Sequence, residues 1–363
     1  MALIYKTNIL IIGAGQAGLS AAYHLQKLGI KPGKGFTLLD ASDRPGGAWN
    51  DRWDSLTLSN VNGIHDLPGL PMRTTLAHPE AKEVPANASV SHYFEVYEET
   101  MGLSVWRPVH VQVVCKREEK FRVETSQGVL MTHGILNATG TWTKPYIPAY
   151  PGADLFKGEQ LHTRDYKSAS YFKDKRVLIV GAGISAIQLL DEISKVTETY
   201  WVSRRPPLYR DVVFDEEAGR AAVAMVEERV RNGLPPQSVV SVTGLPWTPQ
   251  MRDMEQRGVL INHPIFERIS EDGVVFEQGK EEVFDVIVWC TGFRSALDHL
   301  APLLKTPQSD HWKMDGRLAT RVAHEPRIHL LGYGPSASTV GANRAGRAAA
   351  QEITHLLGLS KAN

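Results

Sequence analysis

The chain has 363 residues, 42% of them hydrophobic and 22% charged, and its 40 Lys and Arg balance 40 Asp and Glu. That size predicts about two globular domains, and zero net charge excludes the basic footprint of a nucleic-acid binder. The apolar run at 9–12 leads straight into glycines and no stretch reaches about 18 apolar residues, so neither a signal peptide nor a spanning helix is read. The expectation is a cytoplasmic protein with no membrane partner.

In chain order, residues 8–12 predict a buried parallel strand and 19–28 a helix, with Gly13-Ala14-Gly15-Gln16-Ala17-Gly18 between them. In such a loop Gly13 permits a tight turn, Gly15 lets the backbone approach a pyrophosphate, and Gly18 lets the helix pack on the strand. The N–H groups at the helix start, around Gln16 and Ala17, face the anion. A second strand, 36–39, ends in Asp40-Ala41, and Asp40 stands about 20 residues past the last glycine, where a carboxylate binds a ribose hydroxyl. Residues 43–71 are turn-rich and too long for an ordinary connection, which marks a functional loop. Residues 111–117, 121–124 and 129–137 predict a small antiparallel set leading into Ala138-Thr139-Gly140, and Pro145, Pro148 and Pro151 mark a linker.

The nucleotide pattern then recurs, as strand 176–180, Gly181-Ala182-Gly183-Ile184-Ser185-Ala186, helix 185–194 and strand 199–202. Where the first unit has Asp40, the second has Ser203-Arg204-Arg205. A carboxylate there would repel a 2′-phosphate, whereas a hydroxyl and guanidinium groups bind it through charge-assisted hydrogen bonds, so this half is expected to take NADPH. Beyond it lie a helix at 215–231, an irregular Pro-rich segment to 249, strands at 274–276 and 283–289, and the turn Thr291-Gly292-Phe293-Arg294. A strand at 328–331, Gly332-Tyr333-Gly334 and a helix at 340–357 complete the first domain.

The resulting fold class is α/β, with two Rossmann-like dinucleotide-binding domains, parallel sheets and small antiparallel additions. The first domain comprises 1–145 and 296–363, and the second, 146–295, is inserted in it. Two such loops on one chain point to hydride transfer from a nicotinamide to a flavin. The 2 cysteines, Cys115 and Cys290, form no CxxC, which counts against a dithiol relay. No metal-ligand spacing occurs among the 13 histidines, and no GxSxG elbow is present, so neither a metal nor an acyl-enzyme is expected.

Phe156-Lys157-Gly158-Glu159-Gln160-Leu161-His162-Thr163-Arg164-Asp165-Tyr166 matches FxGxxxHxxx(Y/F), and over nearly its whole length the chain resembles the class B flavin monooxygenases, closest to the short bacterial members. Gly46-Gly47-Ala48-Trp49 resembles the GGxW element that lines FAD. Thr139-Gly140 resembles part of the element joining the domains, and Thr291-Gly292 the returning turn of the NADPH domain. Tyr166 favours the flavin-containing monooxygenase branch over the Baeyer–Villiger branch.

The resemblance implies that NADPH reduces FAD, that the reduced flavin traps dioxygen as a C4a-hydroperoxide, and that sulfides, amines and, as a second activity, ketones are oxygenated. It implies an asparagine holding the cofactors, Asn60 or Asn62 with Asn60 the better match, and for His162 a conformational role ahead of proton transfer. The flavin-binding Gly-Asp of related proteins reads Gly332-Tyr333-Gly334 here, which leaves its contact to the backbone at Gly334 or to Ser336 and Thr339. A homodimer is an analogy with the family alone. Rival readings are a flavin reductase serving another protein and a non-catalytic FAD/NADPH redox sensor.

Overall fold

Residues 9–12 of the strand Ile4–Ile12 are buried on both faces, as a continuous apolar run in a parallel sheet requires. The computed structural model describes residues 4–61, 63–77, 83–210, 216–236, 244–305 and 312–359. They form two compact units, one of Met1–Gly140, Val223–Ser238 and Ser295–Asn363, the other of Thr141–Ala222 and Val239–Arg294.

In the first unit, Ile4–Ile12 lies between Phe36–Leu39 and Gly128–Asn137, parallel to both. The central strand Gly128–Asn137 differs from the expected antiparallel set. Its first half pairs antiparallel with Lys120–Thr125, and Ile135 to Asn137 then pair parallel with Glu325–Leu330 along the same path. One long strand thus hands its edge from one neighbour to the next.

The helices Gln16–Lys27 and Thr339–Leu356 pack so closely that a Cβ on Gly346 would stand 2.8 Å from the Ala21 nitrogen. The sequence reading missed the helix Ala86–Thr100, whose Val90, Tyr93, Phe94 and Tyr97 are buried at helical spacing.

The second unit has a wholly parallel sheet in the order Asn262–Pro264, Thr199–Ser203, Val177–Val180, Val286–Trp289, Glu159–His162. The strand read at 283–289 is two strands. Val283 ends the antiparallel strand Glu281–Val283, and Val286 begins the sheet strand. Asp285 sits at the break, its carboxylate accepting from the Arg176 N–H at 2.7 Å. The Pro-rich segment gives way at its end to a helix the sequence did not announce, Pro249–Gln256, started by the Thr248 hydroxyl on the Met251 N–H at 3.2 Å with proline in the first turn.

The uninterrupted second block expected at 146–295 differs from this division. In the helix Glu216–Arg231 the residues from Val223 onward group with the first unit, because Val230 joins a core cluster with Leu297, Leu300, Met314 and Tyr333. Asp215, its expected first residue, lies outside the described residues.

Asp191, 3% exposed, ties two helices of the second unit together. Its carboxylate accepts from Lys195 Nζ at 2.8 Å, from Gln250 Nε2 at 2.6 Å and from the Arg257 guanidinium. Asp191→Ala is expected to cost about 3 kcal/mol, the lower end of the range for breaking a buried pair, since the partners keep access to water. Urea unfolding checks this, and an unchanged midpoint would refute it.

Candidate functional site

The first glycine loop is set by strand pairing: the Gly13 N–H donates to Leu39 O and the Ala138 N–H to Ile12 O, both at 2.7 Å. Gly13 has φ +101°, and a Cβ there would stand 2.5 Å from Ala138 O. A Cβ on Gly18 would stand 1.9 Å from Gly13 O, whereas one on Gly15 would meet nothing within 4 Å. Two glycines are thus required by the protein's own packing, and the third leaves a cradle open.

Gly15 is the cap of Gln16–Lys27, with no side-chain acceptor and no acidic residue in the first turn. The first-turn N–H groups, at Gln16, Ala17 and Gly18, therefore remain for an anion. Gly47 closes on the loop, a Cβ there falling 3.3 Å from Gly15 Cα, while exposed Ala48 and half-buried Trp49 follow it.

Asp40 accepts from the Ala14 N–H at 2.6 Å through one oxygen and from the Ser42 N–H at 2.8 Å through the other. Exposed Ala41 lies between these contacts in the chain. A carboxylate has about four acceptor positions, so capacity for a ribose hydroxyl remains. An open glycine, free helix N–H groups and a carboxylate at the strand end fit the adenosine diphosphate part of FAD.

Gln16 uses its amide elsewhere, donating to His65 O at 3.0 Å and Asn343 Oδ1 at 2.9 Å. Gly334 turns toward the core, where a Cβ would stand 3.0 Å from Val230 Cγ1, and Gly332 is the glycine of that turn with open space. Ser336 is spent on Tyr333 (Tyr333 N–H to Ser336 Oγ, 3.1 Å), and Thr339 on Gly63 O at 3.2 Å and the His65 N–H at 3.3 Å.

A relay that no sequence signal announced fixes Thr139-Gly140. The Thr139 hydroxyl donates to Ala296 O at 2.7 Å and accepts from Asn137 Nδ2 at 2.9 Å, and Asn137 Oδ1 faces His299 Nε2 at 2.8 Å. An acceptor at that distance puts the proton on Nε2, and burial lowers the His299 pKa to about 4, so the ring is neutral.

Asn60 is exposed and forms a local turn, its Oδ1 accepting from the Thr57 N–H at 2.8 Å and its Nδ2 donating to Ser55 O at 3.3 Å. Asn62 lies outside the described residues.

In the second unit a Cβ on Gly181 would stand 2.3 Å from Cys290 O, and one on Gly183 would meet nothing within 4 Å, the same division of labour as in the first loop. Gly183 caps Ile184–Ile193 without a side-chain acceptor, Ser185 is half-buried, and Ala186 is buried where a third glycine would stand.

Arg204 and Arg205 are exposed at the strand end, and no ion pair joins either to another described residue. Ser203 is buried, its hydroxyl 2.7 Å from Arg205 O and 2.7 Å from Asn262 Oδ1. The expected phosphate contact from the Ser203 hydroxyl is thus taken up by the turn itself, and the two exposed guanidinium groups are what fit a 2′-phosphorylated nicotinamide dinucleotide.

His162 is buried, with Nδ1 accepting from the Arg164 N–H at 3.1 Å, so Nε2 carries the proton and donates to Gly292 O at 2.9 Å. Burial lowers its pKa further from the usual value. Both nitrogens are committed to backbone partners within the unit. Gly292, φ +80°, has open space on its free side, and the Thr291 hydroxyl donates to Tyr146 O. The Tyr166 hydroxyl donates to Glu192 Oε2 at 2.7 Å.

These features define a protein with two dinucleotide sites of different strand-end chemistry. Residues 10–232 match the family model described as pyridine nucleotide-disulphide oxidoreductase. A flavin-containing monooxygenase from Stenotrophomonas maltophilia has a solved structure that is 34% identical, with a TM-score of 0.80 over 97% of this chain and 99% of that one. Flavin-containing monooxygenase 1 of Homo sapiens is 23% identical over 81% of this chain and 63% of its own length. A cyclohexanone monooxygenase structure, 16% identical with a TM-score of 0.66 over 99% of this chain and 88% of that one, shares the fold. The chain belongs to the pyridine nucleotide-disulphide oxidoreductase family and, within it, to the flavin monooxygenases. Dioxygen and an organic molecule are the substrates this membership implies. No helix among the described residues is long and apolar enough to cross a membrane.

Proposed function

We propose that the protein is an NADPH-dependent FAD monooxygenase that oxygenates soft nucleophiles, sulfides and amines, with Baeyer–Villiger oxygenation of ketones as a second activity. FAD and NADPH are its cofactors, and the reading assigns FAD to the Gly13–Gly18 loop and NADPH to the Gly181–Ala186 loop. The observation that carries it is the pair of open glycines, Gly15 and Gly183, beside Asp40 in one unit and Arg204 and Arg205 in the other.

When bound, FAD supplies a hydride acceptor and, once reduced, dioxygen activation as a C4a-hydroperoxide. This chain's residues bind and orient: Gly15 and Gly47 admit the pyrophosphate, Asp40 accepts from a ribose hydroxyl, and Arg204 and Arg205 pair with the 2′-phosphate. Thr139, Gly140, Thr291 and Gly292 shape the turns that carry the chain into and out of the second unit. Asn60 is the proposed contact to the reacting end of the cofactors. A cytoplasmic homodimer belongs to the same proposal, by family analogy, and light scattering tests the stoichiometry.

The reading is tested by reducing the yellow protein with NADPH without oxygen and then mixing it rapidly with oxygenated buffer. A lasting near-ultraviolet hydroperoxide band before oxidised flavin returns supports it. Direct return of oxidised flavin with peroxide release points to the reductase, and flavin that NADPH does not bleach refutes both. The double variant Arg204→Ala/Arg205→Ala is expected to raise KM for NADPH about 30-fold, the loss of roughly 2 kcal/mol of charge-assisted bonding, with KM for NADH unchanged. Equal rises for both nucleotides would refute the 2′-phosphate assignment.

A further inference from the structure

The structure places a residue outside both glycine fingerprints in contact with the base of the arginine turn. The edge strand Asn262–Pro264 runs parallel to Thr199–Ser203, with Asn262 paired to Trp201 and Pro264 to Ser203. The Asn262 side chain, half-buried, reaches the Ser203 hydroxyl at 2.7 Å, and that hydroxyl is 2.7 Å from Arg205 O. A serine hydroxyl has one proton and cannot donate to both carbonyl oxygens. As oriented, Asn262 Nδ2 is also buried without a partner. Turning the amide by 180° resolves the conflict at Ser203, since Nδ2 then donates to Ser203 Oγ and Ser203 donates its proton to Arg205 O, and it places Oδ1 instead of an N–H donor at the unpartnered position.

We propose that Asn262 is a positioning residue for nucleotide selectivity, acting through Ser203 to hold the Arg205 carbonyl and so fix the backbone turn from which Arg204 and Arg205 project. The inference rests on the assignment of those arginines to the 2′-phosphate. Two exposed guanidinium groups, ion-paired to no described residue, take their direction from the backbone beneath them. Ser203, 4% exposed, is thus committed to the turn and contributes to selectivity through it.

The test is anaerobic flavin reduction in the holoprotein as a function of NADPH or NADH concentration. Asn262→Ala is expected to raise the half-saturating NADPH concentration about tenfold, the usual effect of one lost hydrogen bond in a network. The limiting reduction rate and NADH saturation should hold. Ser203→Ala should do the same, and the double variant no more than either single one, because all three break one relay.

Asn262→Asp keeps the shape and puts an anion beside the turn, so its NADPH saturation should weaken further while NADH changes little. It also provides the readout if Asn262→Ala does not fold. An unchanged NADPH-to-NADH ratio in Asn262→Ala or Asn262→Asp, alongside a shifted ratio in Arg204→Ala/Arg205→Ala, overturns the role of Asn262 alone. An unshifted ratio in the arginine variant overturns the 2′-phosphate assignment, and the inference with it. A fall in both affinities together with the melting temperature identifies Asn262 as merely structural and also overturns the proposal.

Discussion

Gly15→Ala is expected to fold and to leave the purification column colourless, whereas Gly18→Ala will not accumulate as folded protein. The contrast follows from what a single methyl group would meet. At Gly18 it falls 1.9 Å from the Gly13 carbonyl oxygen, a backbone atom of the adjoining turn that cannot move aside without separating the helix from the strand. At Gly15 it meets no protein atom within 4 Å, and the backbone there, φ −81° and ψ −170°, suits any residue. The only space that methyl would fill is the cradle in front of the helix N–H groups. The melting temperature of cofactor-free Gly15→Ala should match that of cofactor-free wild type, and its flavin absorbance should be lost. A yellow, active Gly15→Ala protein would refute the placement of FAD on this loop.

Acid is expected to unfold the protein through two buried histidines in the first unit. Burial lowers the His299 pKa to about 4 and the His329 pKa to about 3. The unfolded chain titrates near 6.5 and therefore binds protons that the folded state refuses. This stability is fully present above about pH 6.5 and is lost as pH falls through 6.5 toward 4, roughly 3 kcal/mol for each histidine by pH 4. Against a total of about 5–15 kcal/mol that loss is large.

His329→Gln, which can still meet the Thr320 hydroxyl that faces Nδ1 at 3.1 Å, should show a shallower fall in urea midpoint with pH. Parallel slopes for the two proteins would exclude His329 as a source of the acid sensitivity.

The two glycine loops, the strand ends at Asp40 and Ser203 and both flanking helices were legible because each is local, a few residues whose spacing has one steric solution. The helix Ala86–Thr100 carried the spacing of Val90, Tyr93, Phe94 and Tyr97 but not a usual start signal, since Pro85 occupies its cap and no side chain closes the first turn. The dual pairing of Gly128–Asn137 was not legible because its partners Ile4–Ile12 and Glu325–Leu330 lie far away along the chain. The break at Phe284-Asp285 was hidden for a related reason, as Val283 and Phe284 extend the apolar run of Val286–Trp289 backward and only the different partners of Glu281–Val283 and Val286–Trp289 separate the two strands. In the candidate site, Asn262 was invisible because its importance lies in a register, Asn262 beside Trp201, that no local pattern encodes.

That long-range pairing also sets an order of events during synthesis. The partner strand Glu325–Leu330 and the closing helix Thr339–Leu356 leave the ribosome only after the whole of the second unit has been made. The growing chain therefore carries Gly128–Asn137 with part of its edge uncovered while the inserted unit, whose parallel sheet is complete by Trp289, can already fold. Chaperone demand should peak in that interval, and truncation before residue 325 should yield a soluble inserted unit attached to an aggregating amino-terminal half.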